Sequence, residues 1–168
     1  MRVAVTGTPG TGKTTATEQV STDLEVVHLN DVVHGEGLTR ERDEERDTAI
    51  ADVDAVAEWL DGREDVLFES HLAHHFPADR VVVLRCHPET IEQRLRDRDE
   101  PEHTATENAE SEALDVILSE AVAEHGEENV YEIVTTDRTP GDVANAIEAV
   151  IAGERDPSAG TVSFVEYL

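Results

Sequence analysis

The sequence predicts an α/β fold in which a five-stranded parallel sheet is covered by helices on both faces. Three observations indicate this fold. Short apolar runs alternate along the chain with segments of helical periodicity, as in strands joined by right-handed helical crossovers. A glycine-rich motif follows the first run directly, and polar residues follow the later ones. The length of 168 residues suits a single domain over residues 1–168.

Five segments are expected to form the strands of this sheet. Each is short, rich in Val or Leu, and bounded by polar or turn residues, as buried parallel strands are. They are residues 2–7, 25–30, 65–70, 80–86 and 130–136.

Five helices are expected between and after the strands. Apolar residues recur at helical spacing before Gly62, a suitable helix end. A single long helix is expected to end at Gly126. The tail, residues 152–168, has an apolar end that can dock as a strand or pack on the body of the protein. The expected helices cover residues 12–24, 49–62, 88–100, 101–126 and 139–153.

The charge balance is extreme, with 13 basic and 39 acidic residues and a net charge of -26. Disorder, a polycationic partner and adaptation to high salt can each produce such a composition. Disordered segments lack apolar periodicity, whereas the acidic residues here alternate with regular apolar positions. The composition therefore favours a protein of a halophilic organism, in which concentrated salt screens the repulsion between carboxylates.

The composition also limits the location and the partners. Cys86 is the single cysteine, which favours a reducing compartment. We expect a cytoplasmic protein, because the sequence shows no leader peptide and no apolar run of membrane-spanning length. Direct binding to DNA or other nucleic acids is not expected, since the net charge opposes a phosphate backbone.

The motif Gly7-x4-Gly12-Lys13-Thr14 has the P-loop pattern and lies between a predicted strand and a predicted helix, the context that this motif requires. Glycines let successive amides face phosphate oxygens, and the helix start adds a positive dipole. Lys13 is expected to contact the outer phosphates of a nucleoside triphosphate. The hydroxyl of Thr14 is expected to bind Mg²⁺.

The third predicted strand ends in an acidic residue and leads into a histidine-rich segment, "ESHLAHHF". Glu69 can hold Mg²⁺, directly or through water, or orient an attacking water. His71 is the histidine expected to be functional, and His74 and His75 are expected to lie in a loop or at the surface. Metal binding by these three histidines is not favoured, because the cysteine partners of common structural zinc sites are lacking.

Arginines are few, so their positions are informative. Arg85, Arg94 and Arg98 are expected to contact a phosphorylated ligand, because arginine neutralises the charge of a transferring phosphoryl group. Arg96 is instead expected to pair with Glu92 one helical turn away.

Three segments together resemble a known family. "VTGTPGTGKTT" at the start, "DEERD" at 43–47 and "ESHLAHHFP" at 69–77 are similar to the small nuclear and archaeal adenylate kinases of the isoenzyme-six type. These proteins are also described as coilin-interacting nuclear ATPases. The resemblance covers about residues 1–151 and implies a P-loop NTPase fold of the nucleoside monophosphate kinase type.

The resemblance also implies a set of site residues. It implies an acid-x-His pair at Glu69 and His71, where the family usually has Asp in place of Glu, and lid arginines at Arg94 and Arg98. ATP and Mg²⁺ are the implied ligands, with Mg²⁺ held by Thr14 and Glu69. The implied ATP-binding residues are Gly10, Gly12, Lys13, Thr14, Thr15 and Arg98.

Three further segments have implied roles. Residues 28–51 correspond to the monophosphate-binding insertion, residues 96–106 to the lid, and residues 135–143 to the segment beside the adenine ring. The lid lacks the Gly-Tyr and the lysines that often follow its arginine. In the insertion this chain has His34 where an arginine is expected, so His34, Arg40 and Arg42 are alternative ligands of the monophosphate.

The implied activities are transfer of the γ-phosphoryl group of ATP to AMP, or to another nucleoside monophosphate, and hydrolysis of ATP. The resemblance further implies a role in late maturation of the small (30S) ribosomal subunit, through ribosomal protein uS11 and pre-30S particles. An ATPase switch with little kinase activity remains an alternative. A third alternative is a non-enzymatic module that binds a partner in a nucleotide-dependent way and does not turn over ATP.

Overall fold

The computed structural model describes residues 1–43 and 48–168, with side chains outside residues 41–49. Its main sheet has five parallel strands in the order β2-β5-β1-β6-β7, which confirms the predicted α/β fold. These strands are β1 (Arg2–Thr6), β2 (Glu25–His28), β5 (Val66–Glu69), β6 (Arg80–Arg85) and β7 (Val130–Val134). The two others, β3 (Thr39–Asp43) and β4 (Thr48–Ala51), pair with each other in antiparallel orientation.

Seven α-helices connect the described strands. They are α1 (Lys13–Thr17), α2 (Leu29–Gly35), α3 (Val53–Leu60), α4 (Pro88–Asp97), α5 (Glu102–Ala113), α6 (Val116–His125) and α7 (Pro140–Ile151). The predicted monophosphate-binding insertion, residues 28–51, therefore contains α2 and the β3–β4 pair.

The apolar core lies on both faces of the sheet, as the alternation of side chains along buried strands requires. Phe68 faces a cluster formed with α2, α3 and α6, and its ring meets Phe76 edge-on at 6.3 Å between centroids. Leu67, the next residue along the strand, faces a second cluster with α1 and α7. The predicted placement of helices on both faces is confirmed.

Local side-chain bonds define where several helices begin. The carboxylate of Asp52 accepts the backbone N–H of Ala55 at the start of α3. The hydroxyl of Thr139 accepts the N–H of Asp142 at the start of α7. Both are preferred N-cap residues. Helix α1 ends at Thr17, seven residues before the predicted end at residue 24. The hydroxyl of Thr17 donates to the carbonyls of Lys13 and Thr14, a side-chain bond that competes with continuation of the helix.

The prediction of one long helix within residues 101–126 was wrong, because α5 and α6 are separate helices. Asp115, between them, has a left-handed backbone with φ of 56°. The guanidinium of Arg85 donates to the carbonyl of Glu112 at 3.2 Å and to the carboxylate of Asp115 at 2.6 Å. Arg85 thus binds the end of α5 and stabilises the break, which depends on a residue distant in the sequence.

The tail packs on the body without forming a strand. The backbone N–H of Ser158 donates to the carbonyl of Val130 at the edge of β7, at 3.0 Å. The ring of Phe164 meets His87 edge-on, and the hydroxyl of Tyr167 donates to Glu92 on α4 at 2.8 Å. Of the two alternatives for the tail, packing on the body is therefore the one observed.

The strand register places polar residues together at the carboxyl end of the sheet. Glu69, the last residue of β5, is paired with Val5 of β1 and with His28 of β2. The P-loop begins two residues after Val5, so Glu69 lies beside it. In the described part of the chain, no helix is long and apolar enough to cross a membrane.

Candidate active site

The P-loop connects β1 to α1, and its backbone depends on glycine. Gly12 precedes α1 with φ of +92°, and Gly10 has φ of +94°, values that L side chains rarely adopt. A Cβ on Gly10 would also approach the Cγ2 atom of Ile91 to 3.3 Å. The loop is thus a tight turn packed against α4.

Lys13 is bound to its own loop. Its ammonium donates to the carbonyl oxygens of Gly7 at 2.9 Å and of Thr8 at 3.2 Å. Burial is the main cause that lowers the pKa of Lys13 to about 8; the charge of Arg98 acts in the same direction, and the carboxylates of Glu69 and Glu112 oppose it. A half-buried ammonium in this position is well suited to binding an anion.

Thr14 and Glu69 form a direct pair across the P-loop. The hydroxyl of Thr14 donates to Oε1 of Glu69 at 3.0 Å, and Nδ1 of His28 lies 2.8 Å from the same oxygen. Glu69 is only 2% exposed, so its position is set by these two contacts. The hydroxyls of Thr14 and Thr15 are on exposed residues.

This pair fits a magnesium ion, because Mg²⁺ prefers hydroxyl, carboxylate and water oxygens. Thr14 and Glu69 present such oxygens 3.0 Å apart, next to the loop that would hold the phosphates. When bound, the ion would offset the negative charge of the triphosphate.

The three histidines of the histidine-rich segment lie in three different environments. His71 is half-buried, and burial lowers its pKa to about 4, with a further contribution from Lys13, so that it is neutral at pH 7. His74 lies in a 3₁₀ turn between β5 and β6, which agrees with the predicted loop position, but it is fully buried and not at the surface. His74 is held by a 2.8 Å hydrogen bond between its Nδ1 and the hydroxyl of Thr6. His75 is partly exposed at 28% of its side chain.

A cleft of about 180 Å³ opens beside the P-loop and α1. Arg94, Arg98 and Arg138 are three of the residues that line it. The guanidinium of Arg94 also donates a hydrogen bond to the carbonyl of Gly10 in the P-loop, at 3.0 Å. The side chain of Arg98 is exposed. The remaining lining residues are Thr11, Gly12, Thr15, Ala16, Thr135, Pro140 and Val143.

Arg85 does not lie at this cleft, and the expectation that it contacts a ligand was wrong. Its side chain is 0% exposed and forms ion pairs with Glu112, Asp115 and Glu132 at 3.3, 2.6 and 2.8 Å. Arg85 faces away from the rim because its buried carboxylate partners are on α5 and β7. Arg96 pairs with Glu92 as predicted.

The alternative ligands of a monophosphate lie in the insertion. His34 on α2 and Arg40 in β3 are both exposed. The side chain of Arg42 and most of the "DEERD" segment at 43–47 lie outside the described residues. The contribution of each residue to a monophosphate site stays a prediction.

Comparison with known proteins places this geometry in a family. A family model described as an AAA domain matches residues 3–115. The chain belongs to the AAA domain family. The matched part of this family member includes the P-loop, Glu69, His71 and both predicted lid arginines.

Full-length relatives are found among archaea. A protein of Natronomonas pharaonis named "Putative adenylate kinase" is 66% identical over 168 residues, which is 100% of both chains. A protein of Halobacterium salinarum with the same name is 60% identical over 169 residues, again 100% of both. The relative from Pyrococcus furiosus, also so named, is 40% identical over 149 residues and covers 88% of this chain and 82% of its own.

Solved structures support the fold. A sugar kinase from a Janibacter species superposes with a TM-score of 0.52 at 20% identity, over 90% of this chain and 94% of its own. A sulfotransferase from Alicyclobacillus acidocaldarius superposes with a TM-score of 0.54 at 14% identity, over 98% and 86%. This family member therefore shares the α/β fold of these two proteins.

Sequence reasoning missed two residues of the candidate site. His28 contacts Glu69 only because β2 and β5 are neighbours in register. Glu112 is buried on α5 and accepts the hydroxyl of Thr8 in the P-loop at 3.1 Å, and no local pattern predicts this contact.

Proposed function

We propose that this protein is an ATP:AMP phosphotransferase, an adenylate kinase, that uses Mg²⁺. One observation supports the proposal most directly. Lys13, the Thr14–Glu69 pair and the two arginines Arg94 and Arg98 all lie around the P-loop. The names of the archaeal relatives, which match over the full length, support this substrate pair.

ATP would bind in the cleft beside α1. Its phosphates would lie against the P-loop amides, with Lys13 released from the carbonyls of Gly7 and Thr8 to contact the outer phosphates. The nucleoside would occupy the cavity lined by Thr135 and Arg138. Magnesium would be held by Thr14 and by Glu69, directly or through a water.

AMP would lie on the side of the insertion, residues 28–51, next to the carboxyl end of β2. An oxygen of its phosphate attacks the γ-phosphorus of ATP as the bond from that phosphorus to the β–γ bridging oxygen breaks, which yields two ADP molecules. Arg94 and Arg98 would neutralise the charge on the transferring group. Catalysis of this kind depends on positioning and electrostatics, with little covalent participation by the protein.

The test is ADP formation from ATP with and without AMP, in multimolar KCl with Mg²⁺. We expect AMP to accelerate the loss of ATP strongly and two ADP to form for each ATP consumed. If AMP does not accelerate ATP loss, the kinase proposal fails. The Lys13→Ala variant serves as the control for contaminating kinases, because it should lose the activity.

A second candidate is an ATPase switch in ribosome assembly. The observation that favours it is the position of Glu69, which is bonded to Thr14 and could orient a water as well as magnesium. His71, neutral at pH 7, is a second group that could orient this water. The resemblance to the isoenzyme-six type supports a role in 30S maturation through ribosomal protein uS11 and pre-30S particles, at a cytoplasmic location.

This candidate predicts ATP hydrolysis without AMP that increases when uS11 is added. A pull-down of uS11 by the wild type and by Lys13→Ala, with ATP or ADP, separates a switch from a passive binder. A switch requires nucleotide-dependent binding that is lost in Lys13→Ala. If uS11 changes neither hydrolysis nor binding, the assembly proposal fails while the kinase proposal stands.

A further inference from the structure

A cluster of two histidines and a carboxylate lies outside the proposed nucleotide site. His74 and His75 belong to a 3₁₀ turn, Ala73–His75, that follows β5, and Glu120 is on α6. One ligand atom from each of these three residues lies within 4.8 Å of the others. We propose that His74, His75 and Glu120 bind a divalent transition-metal ion such as Zn²⁺.

The ligand atoms are close enough to share one ion. Nε2 of His74 lies 2.7 Å from Oε2 of Glu120, and Nε2 of His75 lies 3.6 Å from the same oxygen. Both imidazoles therefore direct Nε2 toward one carboxylate oxygen. Two imidazoles, one carboxylate and a water make a tetrahedral set that zinc accepts, with ligand bonds of about 2.0–2.2 Å.

The second nitrogen of each ring already has a partner. Nδ1 of His75 lies 2.7 Å from Oε1 of Glu124, one turn after Glu120 on α6. Nδ1 of His74 is hydrogen-bonded to the hydroxyl of Thr6, which can accept as well as donate. Metal-bound histidines typically donate their free N–H to a carboxylate or another oxygen, which fixes the tautomer and the ring orientation.

The surroundings favour the form of histidine that binds metal. His74 is fully buried, and burial lowers its pKa, although its hydrogen bond to Glu120 opposes this, so the neutral imidazole is favoured. The backbone around the ring is also held, since Nε2 of His125 lies 2.6 Å from the carbonyl oxygen of His74. Little rearrangement would be needed for binding.

The choice of metal follows from the ligand types. Imidazole nitrogen suits Zn²⁺, Cu²⁺ and Ni²⁺, whereas Mg²⁺ prefers oxygen ligands. The Thr14–Glu69 pair presents only oxygen, so the two sites select different ions. The bound ion would connect the turn after β5 to α6, and through His74 it would contact Thr6, the last residue of β1 before the P-loop.

The test is zinc binding by the full chain in multimolar KCl with an excess of Mg²⁺. These conditions screen the acidic surface and occupy oxygen-only sites. Competition with a chromophoric chelator should give one tightly bound Zn²⁺ per chain. Replacement of Zn²⁺ by Co²⁺ should produce the ligand-field absorption of a four-coordinate site.

Two partly exposed ligands are suitable for substitution, whereas His74 is buried and its loss could disturb folding. His75→Ala and Glu120→Gln should each weaken Zn²⁺ binding by at least about tenfold and abolish the Co²⁺ band. Glu124→Gln, which removes only the partner of His75, should weaken it by about tenfold or more. Glu127→Gln, an exposed carboxylate beyond α6, is the matched control and should leave binding unchanged.

Two results would overturn the proposal. One is a wild-type chain that binds no Zn²⁺ under these conditions, as expected if Glu120 only accepts hydrogen bonds from the histidines. The other is tight binding that His75→Ala and Glu120→Gln leave intact, which would place the ion elsewhere. Thermal melting with and without Zn²⁺ checks that each variant is folded.

Discussion

The hydroxyl of Thr14 donates a 3.0 Å hydrogen bond to Oε1 of Glu69, so the P-loop and the end of β5 meet at one oxygen pair. The two residues are 55 positions apart in the sequence. Parallel pairing of β1 with β5 brings them together, and His28 on β2 completes the contact from the other side.

Glu69→Gln should lower kcat of the proposed phosphotransfer by about 100-fold or more, because the neutral amide cannot offset the charge of Mg²⁺ or act as a base. Steady-state ADP formation over a range of Mg²⁺ concentrations measures the effect. Glu69→Asp keeps the charge and should retain activity within about tenfold. Activity of Glu69→Gln close to that of the wild type would show that the carboxylate is not needed.

Arg98→Ala should lower kcat/KM by about 100-fold or more, because Arg98 is expected to neutralise the transferring phosphoryl group. Its side chain is exposed, so the melting temperature should hardly change. Arg96→Ala, two residues earlier at the end of α4, is the matched control, and the surface pairs of Arg96 with Glu92 and Glu102 should contribute little. Equal losses in both variants would contradict a specific role for Arg98.

The affinity for ATP should fall as the pH rises above the pKa of Lys13, which burial lowers to about 8. The protonated ammonium binds phosphate, so the dissociation constant in the absence of AMP should rise by about tenfold per pH unit above the pKa. Lys13→Arg keeps its charge at all these pH values and should show weaker binding with a flat profile. Calorimetric titration at pH 7, 8 and 9 provides the measurement, and a flat wild-type profile would contradict the assignment.

Arg85→Met should destabilise the protein by about 3–5 kcal/mol, because the buried carboxylates of Glu112 and Glu132 would lose their shared cation. Urea unfolding at constant KCl measures the change. The control Arg96→Met removes a surface arginine and should cost at most about 1 kcal/mol. Similar values for the two variants would show that the buried network contributes no more than a surface pair.

The melting temperature should rise steeply with KCl up to about 1 M, since the Debye length falls from about 10 Å at 0.1 M to about 3 Å at 1 M. Repulsion within a chain of net charge -26 is then screened. Thermal melting followed by circular dichroism provides the measurement. Equal melting temperatures at low and multimolar salt would contradict adaptation to high salt.

Local patterns in the sequence were sufficient for the five strands of the main sheet, the P-loop and most helices, but not for α2 or the β3–β4 pair. Apolar runs such as residues 80–86 can be recognised as strands, because a strand buried on both faces is apolar over most of its length. The break between α5 and α6 was not predictable, because it depends on Arg85, which binds Glu112 and Asp115 from a different strand. The functional assignment of Arg85 failed for the same reason, since its partners could be identified only in the folded chain.

By itself, the sequence determined the α/β class, the P-loop motif and the acidic composition, because these depend on residue types and on spacing within a few turns or strands. The tertiary structure alone decided which charged side chains meet. It joined Thr14, Glu69 and His28, buried Arg85 among three carboxylates, and brought Glu120 to His74 and His75. Such contacts follow from the order and register of strands and from the docking of helices, which depend on burial across the whole chain.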